Sequence, residues 1–131
     1  MVEPRTDGGA TGDSPAVTLQ LSNELVRLYK VLFGRGPASA RANFAGPDVV
    51  IVTLERSLTP AEQSMVEMRE YQRLRDVRLY FQHAREHDFR EAAERITGRR
   101  VRAFVSGIDV EQDVASEIFY LYPLGSEDAD Q

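Results

Sequence analysis

His83-Ala84-Arg85-Glu86-His87 follows the H-x-x-E-H order of one class of zinc protease. In that order a helix presents two imidazoles to one metal ion and keeps a carboxylate between them as a base. The pattern needs a third protein ligand, which Glu91 or Glu94 could supply only by coincidence. With Phe81 taken as the centre of the apolar stripe, both histidines point to the opposite, solvated face. The chain is also short for the substrate cleft of that class, so the two are read as surface histidines and no metal is expected. There is no G-x-S-x-G elbow and no cysteine, which leaves no nucleophile elbow and excludes thiolate chemistry and thiolate zinc sites. No catalytic residue and no cofactor are expected.

Two other groupings could bind rather than react. Gly34-Arg35-Gly36-Pro37 looks like a phosphate loop, but it follows a helix, where the dipole is negative, instead of preceding one. Its plain reading is a helix cap and turn. Ten arginines (69, 73, 75, 78, 85, 90, 95, 99, 100 and 102) face six acids (Glu70, Asp76, Glu86, Asp88, Glu91 and Glu94), a local balance of +4. Such a stripe could hold an anion or an acidic partner. It is read first as a solvated helix face laced with ion pairs.

The elements that must position these residues follow from periodicity. Leu21, Leu25, Leu28, Tyr29 and Leu32 repeat at helical spacing, so a helix is predicted over 17–33, with Gly34 as its left-handed cap and Pro37 beyond. Ala38, Ala40, Ala42 and Phe44 alternate with Ser39, Arg41 and Asn43, as a half-exposed strand does. After the turn Gly46-Pro47-Asp48, the β-branched run Val49–Leu54 reads as a central buried strand. Thr59-Pro60-Ala61-Glu62 carries the signature of a capping box with proline in the first turn, so a helix starts there. It either breaks near Tyr71 and resumes or runs on to Thr97, before Gly98. Leu74, Val77, Phe81, Ala84, Ala92 and Ile96 would form its buried face. Leu79 and Tyr80 leave a second apolar patch in need of a partner. Val101–Ile108 and Ala115–Tyr122, joined by a turn at Glu111-Gln112-Asp113, form a second hairpin. The expected fold is α+β, in the order α-β-β-α-(α)-β-β: a four-stranded, mostly antiparallel sheet from two hairpins, with helices packed on one face.

Composition bounds the function classes. Hydrophobic residues make up 42% and charged residues 28% of 131, enough apolar material for one domain with a true core. Residues 1–16 read as a disordered acidic arm and 123–131 as an acidic tail, with a folded domain over 17–122. The ends carry -2 and -3, the whole of the net charge of -5, which disfavours nucleic acid by repulsion. No apolar run approaches the roughly 20 residues of a membrane span, so no direct membrane insertion is expected. The cysteine-free chain fits a reducing cytoplasm.

Leu25-Val26-Arg27-Leu28-Tyr29-Lys30, Gly34-Arg35-Gly36-Pro37, the Val49–Leu54 run and Leu58-Thr59-Pro60-Ala61-Glu62 stand in the order of one family. Arg75 through Phe81, Ile96-Thr97-Gly98, Val101 and Ile118-Phe119-Tyr120-Leu121 continue the match. Over about residues 17–122 the chain resembles the MpsC-like family, named after a component of a sodium-translocating, membrane-potential-generating system. The resemblance implies a soluble, non-enzymatic accessory or regulatory protein, with ion movement left to a membrane transporter partner. If the family has a functional surface, Gly34, Arg35, Gly36, Pro37, Thr59 and Glu62 are its expected contact positions. A homodimer through the extra apolar patch is expected beside it. The alternative is a small-anion or nucleotide-sensing domain built on Arg35 and the helix arginines.

Overall fold

The computed structural model describes residues 14–126. Helix α1 (Pro15–Phe33) opens on Ser14, whose hydroxyl accepts the Val17 N–H, and closes on Gly34 at φ 80°, whose N–H donates to the Lys30 carbonyl. Ser14 to Ala16, assigned above to the arm, are therefore cap and first turn, because the Ser-Pro pair is itself a helix start. Residues 1–13 and 127–131 lie outside the described residues. Pro123 to Ser126 form a turn closed by a hydrogen bond from Ser126 N–H to the Pro123 carbonyl.

Strands β1 (Ser39–Phe44) and β2 (Val49–Glu55) form the first hairpin, and β3 (Val101–Asp109) and β4 (Val114–Leu121) the second. The hairpins join through β2 and β4, giving one antiparallel sheet of order β1-β2-β4-β3. Between them lie three helices: α2 (Pro60–Glu67), α3 (Tyr71–Ala84) and α4 (Glu86–Thr97). The expected fold class is the one observed, with one more helix than the sequence pattern distinguished.

The first break in the helical segment falls where sequence placed one of its alternatives, just before Tyr71. Arg69 sits at φ 61°, its N–H donates to the Val66 carbonyl, and the Glu70 N–H donates to the Met65 carbonyl. This is a Schellman closure with arginine in the position usually given to glycine. The second break, at Arg85, has no glycine or proline to announce it.

The helices cover one face of the sheet. Val50, Val52 and Leu54 of β2 and Ala115, Phe119 and Leu121 of β4 point inward and meet Leu21, Leu25 and Tyr29 of α1 and Phe89 and Ala93 of α4. A smaller cluster, Leu58, Leu74 and Val110, closes the end of the molecule where α2 and α3 meet the second hairpin.

The inner face of α3 differs from the expected one. Val77 and Phe81 are 44% and 42% exposed and Ala84 is exposed, whereas Leu74, Arg78 and Gln82 are buried. The helix is turned by about one residue from the position its apolar stripe favours. The cause lies in its surroundings, where buried acceptors on α2, β4 and the β2–α2 loop need donors. On α4 the expectation holds, with Ala92 buried and Ile96 packed on the core.

Candidate functional site

The turn Gly34–Pro37 and the start of α2 meet at one corner. Arg35 Nη1 donates to the Leu58 carbonyl at 2.7 Å, which fastens the turn to the residue just before the cap. Gly36 lies so close to α1 that an added Cβ would stand 3.3 Å from Val26 Cγ1. Pro37 is half-buried. Thr59 and Glu62 form the predicted capping box: Thr59 N–H donates to Glu62 Oε1 at 2.8 Å and Glu62 N–H to Thr59 Oγ1 at 3.2 Å. Arg35 is thus brought from a distant part of the chain to the residues that carry the Thr59–Glu62 box, and each of the three has an internal hydrogen-bonding task.

The loop between β2 and α2 is held from a second side by Asp113. Its carboxylate accepts the N–H groups of Ser57 (2.9 Å) and Leu58 (3.2 Å), and its carbonyl accepts that of Arg56. Arg56 at φ 60° and Asp113 at φ 57° both adopt the left-handed region that such close pairing of two bends requires.

From this corner a polar seam runs into the core beneath α3. Arg78, with no exposed surface, donates from Nε and Nη2 to the two carboxylate oxygens of Glu62 (3.0 and 2.9 Å) and from Nη2 to the Ser57 carbonyl (2.8 Å). Its guanidinium carbon lies 3.7 Å from the centre of the Phe33 ring. One turn on, Gln82 Nε2 donates to Ser106 Oγ and to Glu117 Oε2 (2.9 Å), and the Tyr29 hydroxyl donates to the same carboxylate oxygen. Glu117 and Gln82 are wholly buried. Burial pushes the Glu117 carboxyl up to about 7, against the hydrogen bonds from Ser106, Tyr29 and Gln82 and the charge of Arg78, which pull it down. Burial, and then the Glu117 charge, raise the Tyr29 phenol well above its ordinary value.

The other sequence candidates scatter. His83 and His87 are exposed and fall on different helices, since the break at Arg85 separates α3 from α4. Among the described residues no group of three histidine or acidic side chains is placed to hold a metal ion. The arginine stripe is largely the expected laced surface, with Arg73–Glu70, Arg85–Asp88, Arg90–Glu86 and Arg95–Glu91 pairs one helical turn apart. Two members are interior staples instead: Arg78, and Arg99, which donates to Asp48 and to the carbonyls of Pro47 and Tyr122.

Sequence reasoning counted Arg78 as one of the stripe and passed over Gln82, Ser106 and Glu117. The signal for Glu117 was available. Ala115, Glu117, Phe119 and Leu121 share parity on one strand, so a carboxylate had to face the core beside Phe119.

The family model described as "Na+-translocating membrane potential-generating system (MpsC)" matches residues 16–122, from the first turn of α1 to the end of β4. No curated protein and no solved structure matches the chain.

Proposed function

The chain belongs to the MpsC family, and on that premise we propose that it is a non-catalytic accessory component of a membrane-potential-generating system, acting in the cytoplasm by binding a membrane-embedded partner. The observation that carries this reading is the extent of the family match, which takes in every helix and strand of the domain. Among the described residues no helix is long and apolar enough to cross a membrane, so the reading leaves ion passage to the partner.

The contact surface of this reading is the corner where α1 ends. There the Gly34–Pro37 turn follows Phe33, and the Phe33 ring meets that of Phe81 at 6.4 Å. Val77, Tyr80 and Phe81 carry the surface outward along α3, Tyr80 being 69% exposed. Aromatic side chains beside an arginine are the usual anchors of a protein interface. Thr59 and Glu62 support the corner from beneath. A homodimer in this reading forms through the Leu79–Tyr80 patch of α3, where Tyr80 is exposed beside Val77 and Phe81.

The test is recovery from detergent-solubilised membranes with tagged wild type, Arg35→Ala and Tyr80→Ser side by side. Retention of a polytopic transporter by wild type, and its loss from both variants at unchanged stability, is the expected result. Equal recovery by all three would move the contact elsewhere, and recovery of no membrane protein by wild type would end the reading. Doubled mass in solution at high micromolar concentration, abolished by Tyr80→Ser, is the expected result for the homodimer, and a strictly monomeric wild type removes it.

A further inference from the structure

The polar seam contains one more acid than it has bases to match. Facing Glu117 on β4 are Tyr29 from α1, Arg78 and Gln82 from α3, Ser106 from β3 and, across the sheet, Val52 from β2. Arg78 is the one cation among them; its Nε and Nη2 are given to Glu62 and Ser57, and its Nη1 is buried without a partner. An ionised Glu117 would share that single positive charge with Glu62 in a dry interior, and its burial outweighs the hydrogen bonds and the Arg78 charge that favour the anion.

The hydrogen bonds show where a proton would go. Glu117 and Gln82 are joined along one edge, Nε2–H to Oε2. The remaining oxygen of each, Glu117 Oε1 and Gln82 Oε1, is buried and has no donor. A carboxylic acid and a primary amide can pair along two edges, and the second edge needs one hydrogen. A proton on Glu117 removes the buried charge, and on Oε1 it is a donor placed beside an amide whose own oxygen has none.

We propose that Glu117 and Gln82 form a proton-binding site that latches α3 to the sheet. With the proton bound, both edges of the pair are made. When it leaves to solvent water, two buried acceptors are left without a donor beside a buried anion, and the hold on α3 weakens. The helix is suited to such control. Its inward stripe is Leu74, Arg78 and Gln82, so polar groups provide most of its attachment, and backbone breaks at Arg69 and Arg85 bound it. The value of about 7 for the Glu117 carboxyl agrees with a proton held through the weakly acidic range. The proposal does not depend on the identity of any partner.

The test is amide hydrogen exchange of residues 71–84 between about pH 5 and 8, corrected for the intrinsic rate, with a carboxyl-carbon NMR titration of glutamate-labelled protein. If opening of α3 brings Glu117 into water, α3 protection falls by up to about tenfold per pH unit towards pH 7 and levels off above it. One glutamate resonance titrates near 7. In Glu117→Gln the new amide supplies N–H to Gln82 Oε1 at every pH, so α3 protection is flat and no resonance titrates there. A wild type with no glutamate titrating between about pH 6 and 8 overturns the proposal, and that result needs no variant to fold. So does α3 protection that varies with pH as much in Glu117→Gln as in wild type.

Discussion

Arg78 meets Glu62 along two parallel hydrogen bonds, and Glu62 is at the same time the N3 residue of the box that caps α2. One carboxylate thus fixes where α2 begins and how α3 is turned. The pair is unequally placed, with Arg78 wholly buried and the Glu62 side chain 17% exposed, so removing the arginine and removing the acid have different consequences.

Arg78→Ala is expected to destabilise the domain by about 3–5 kcal/mol, because Glu62 keeps only the Thr59 N–H, the Ser57 carbonyl loses the Arg78 donor and a cavity opens against Phe33. Arg78→Lys should recover little of this, since an ammonium cannot make the bidentate contact. Urea unfolding of the three proteins measures both effects. A loss under about 1 kcal/mol for Arg78→Ala would mean that α3 is held by other contacts.

Thr59→Ala removes the acceptor of the Glu62 N–H and is expected to cost about 1 kcal/mol. Combined with Glu62→Gln, the loss should fall short of the sum of the single losses, because both changes act on one box. A double-mutant cycle in urea reads the coupling directly.

The Glu117 carboxyl lies at about 7 in the folded chain, above its ordinary 4.5, so over that interval the folded chain holds a proton that the unfolded chain has released. Its contribution to stability is full below about 4.5, declines as pH rises and is gone above about 7, a swing of about 3 kcal/mol. Glu24 acts in the opposite sense, since the Arg27 hydrogen bond holds its carboxyl below the usual range. The difference between wild type and Glu117→Gln isolates the effect. That difference should shift in favour of Glu117→Gln as pH rises from 5 to 8, by chemical denaturation at each pH.

Gly34 and Gly36 are expected to differ in the reason they resist substitution. Nothing lies within 4 Å of a Cβ added at Gly34, so Gly34→Ala carries only the cost of holding φ 80°, about 1 kcal/mol. Gly36→Ala instead presses on Val26 and must shift the turn. Thermal unfolding reads the first. Loss of the Arg35–Leu58 hydrogen bond, seen as faster exchange in residues 56–59, reads the second.

Much of the architecture was legible because its signals are local. The Val49–Leu54 run, the Thr59–Glu62 box and the Gly34 and Gly98 caps each announce themselves within a few residues, and each stands where it was expected. The orientation of α3 was not legible in this way. Val77 and Phe81 gave the helix an apparent apolar face, but acceptors at Glu62, Ser57 and Glu117 decided the matter, and they come from three other segments. The same holds for Arg35: its spacing from Gly34 and Gly36 predicts a turn, while its partner, the Leu58 carbonyl, is brought near by the register of the first hairpin, whose open end pairs Ser39 with Glu55. Strand parity alone could have placed Glu117 inside. What faces it could be known only from the assembled fold.

The order β1-β2-β4-β3 also bears on how the chain reaches its native state. Each hairpin pairs neighbours in sequence and can close early at small entropic cost. The central seam is different: Val49 pairs with Tyr120 and Glu55 with Val114, so α2, α3 and α4 all lie in the loop that this seam must close. Searching for that one contact is the slow part of assembly, since distant pairings carry the larger closure cost before any contact repays it. Until it forms, β2 and β4 each offer a bare apolar edge, and self-association during refolding would begin there.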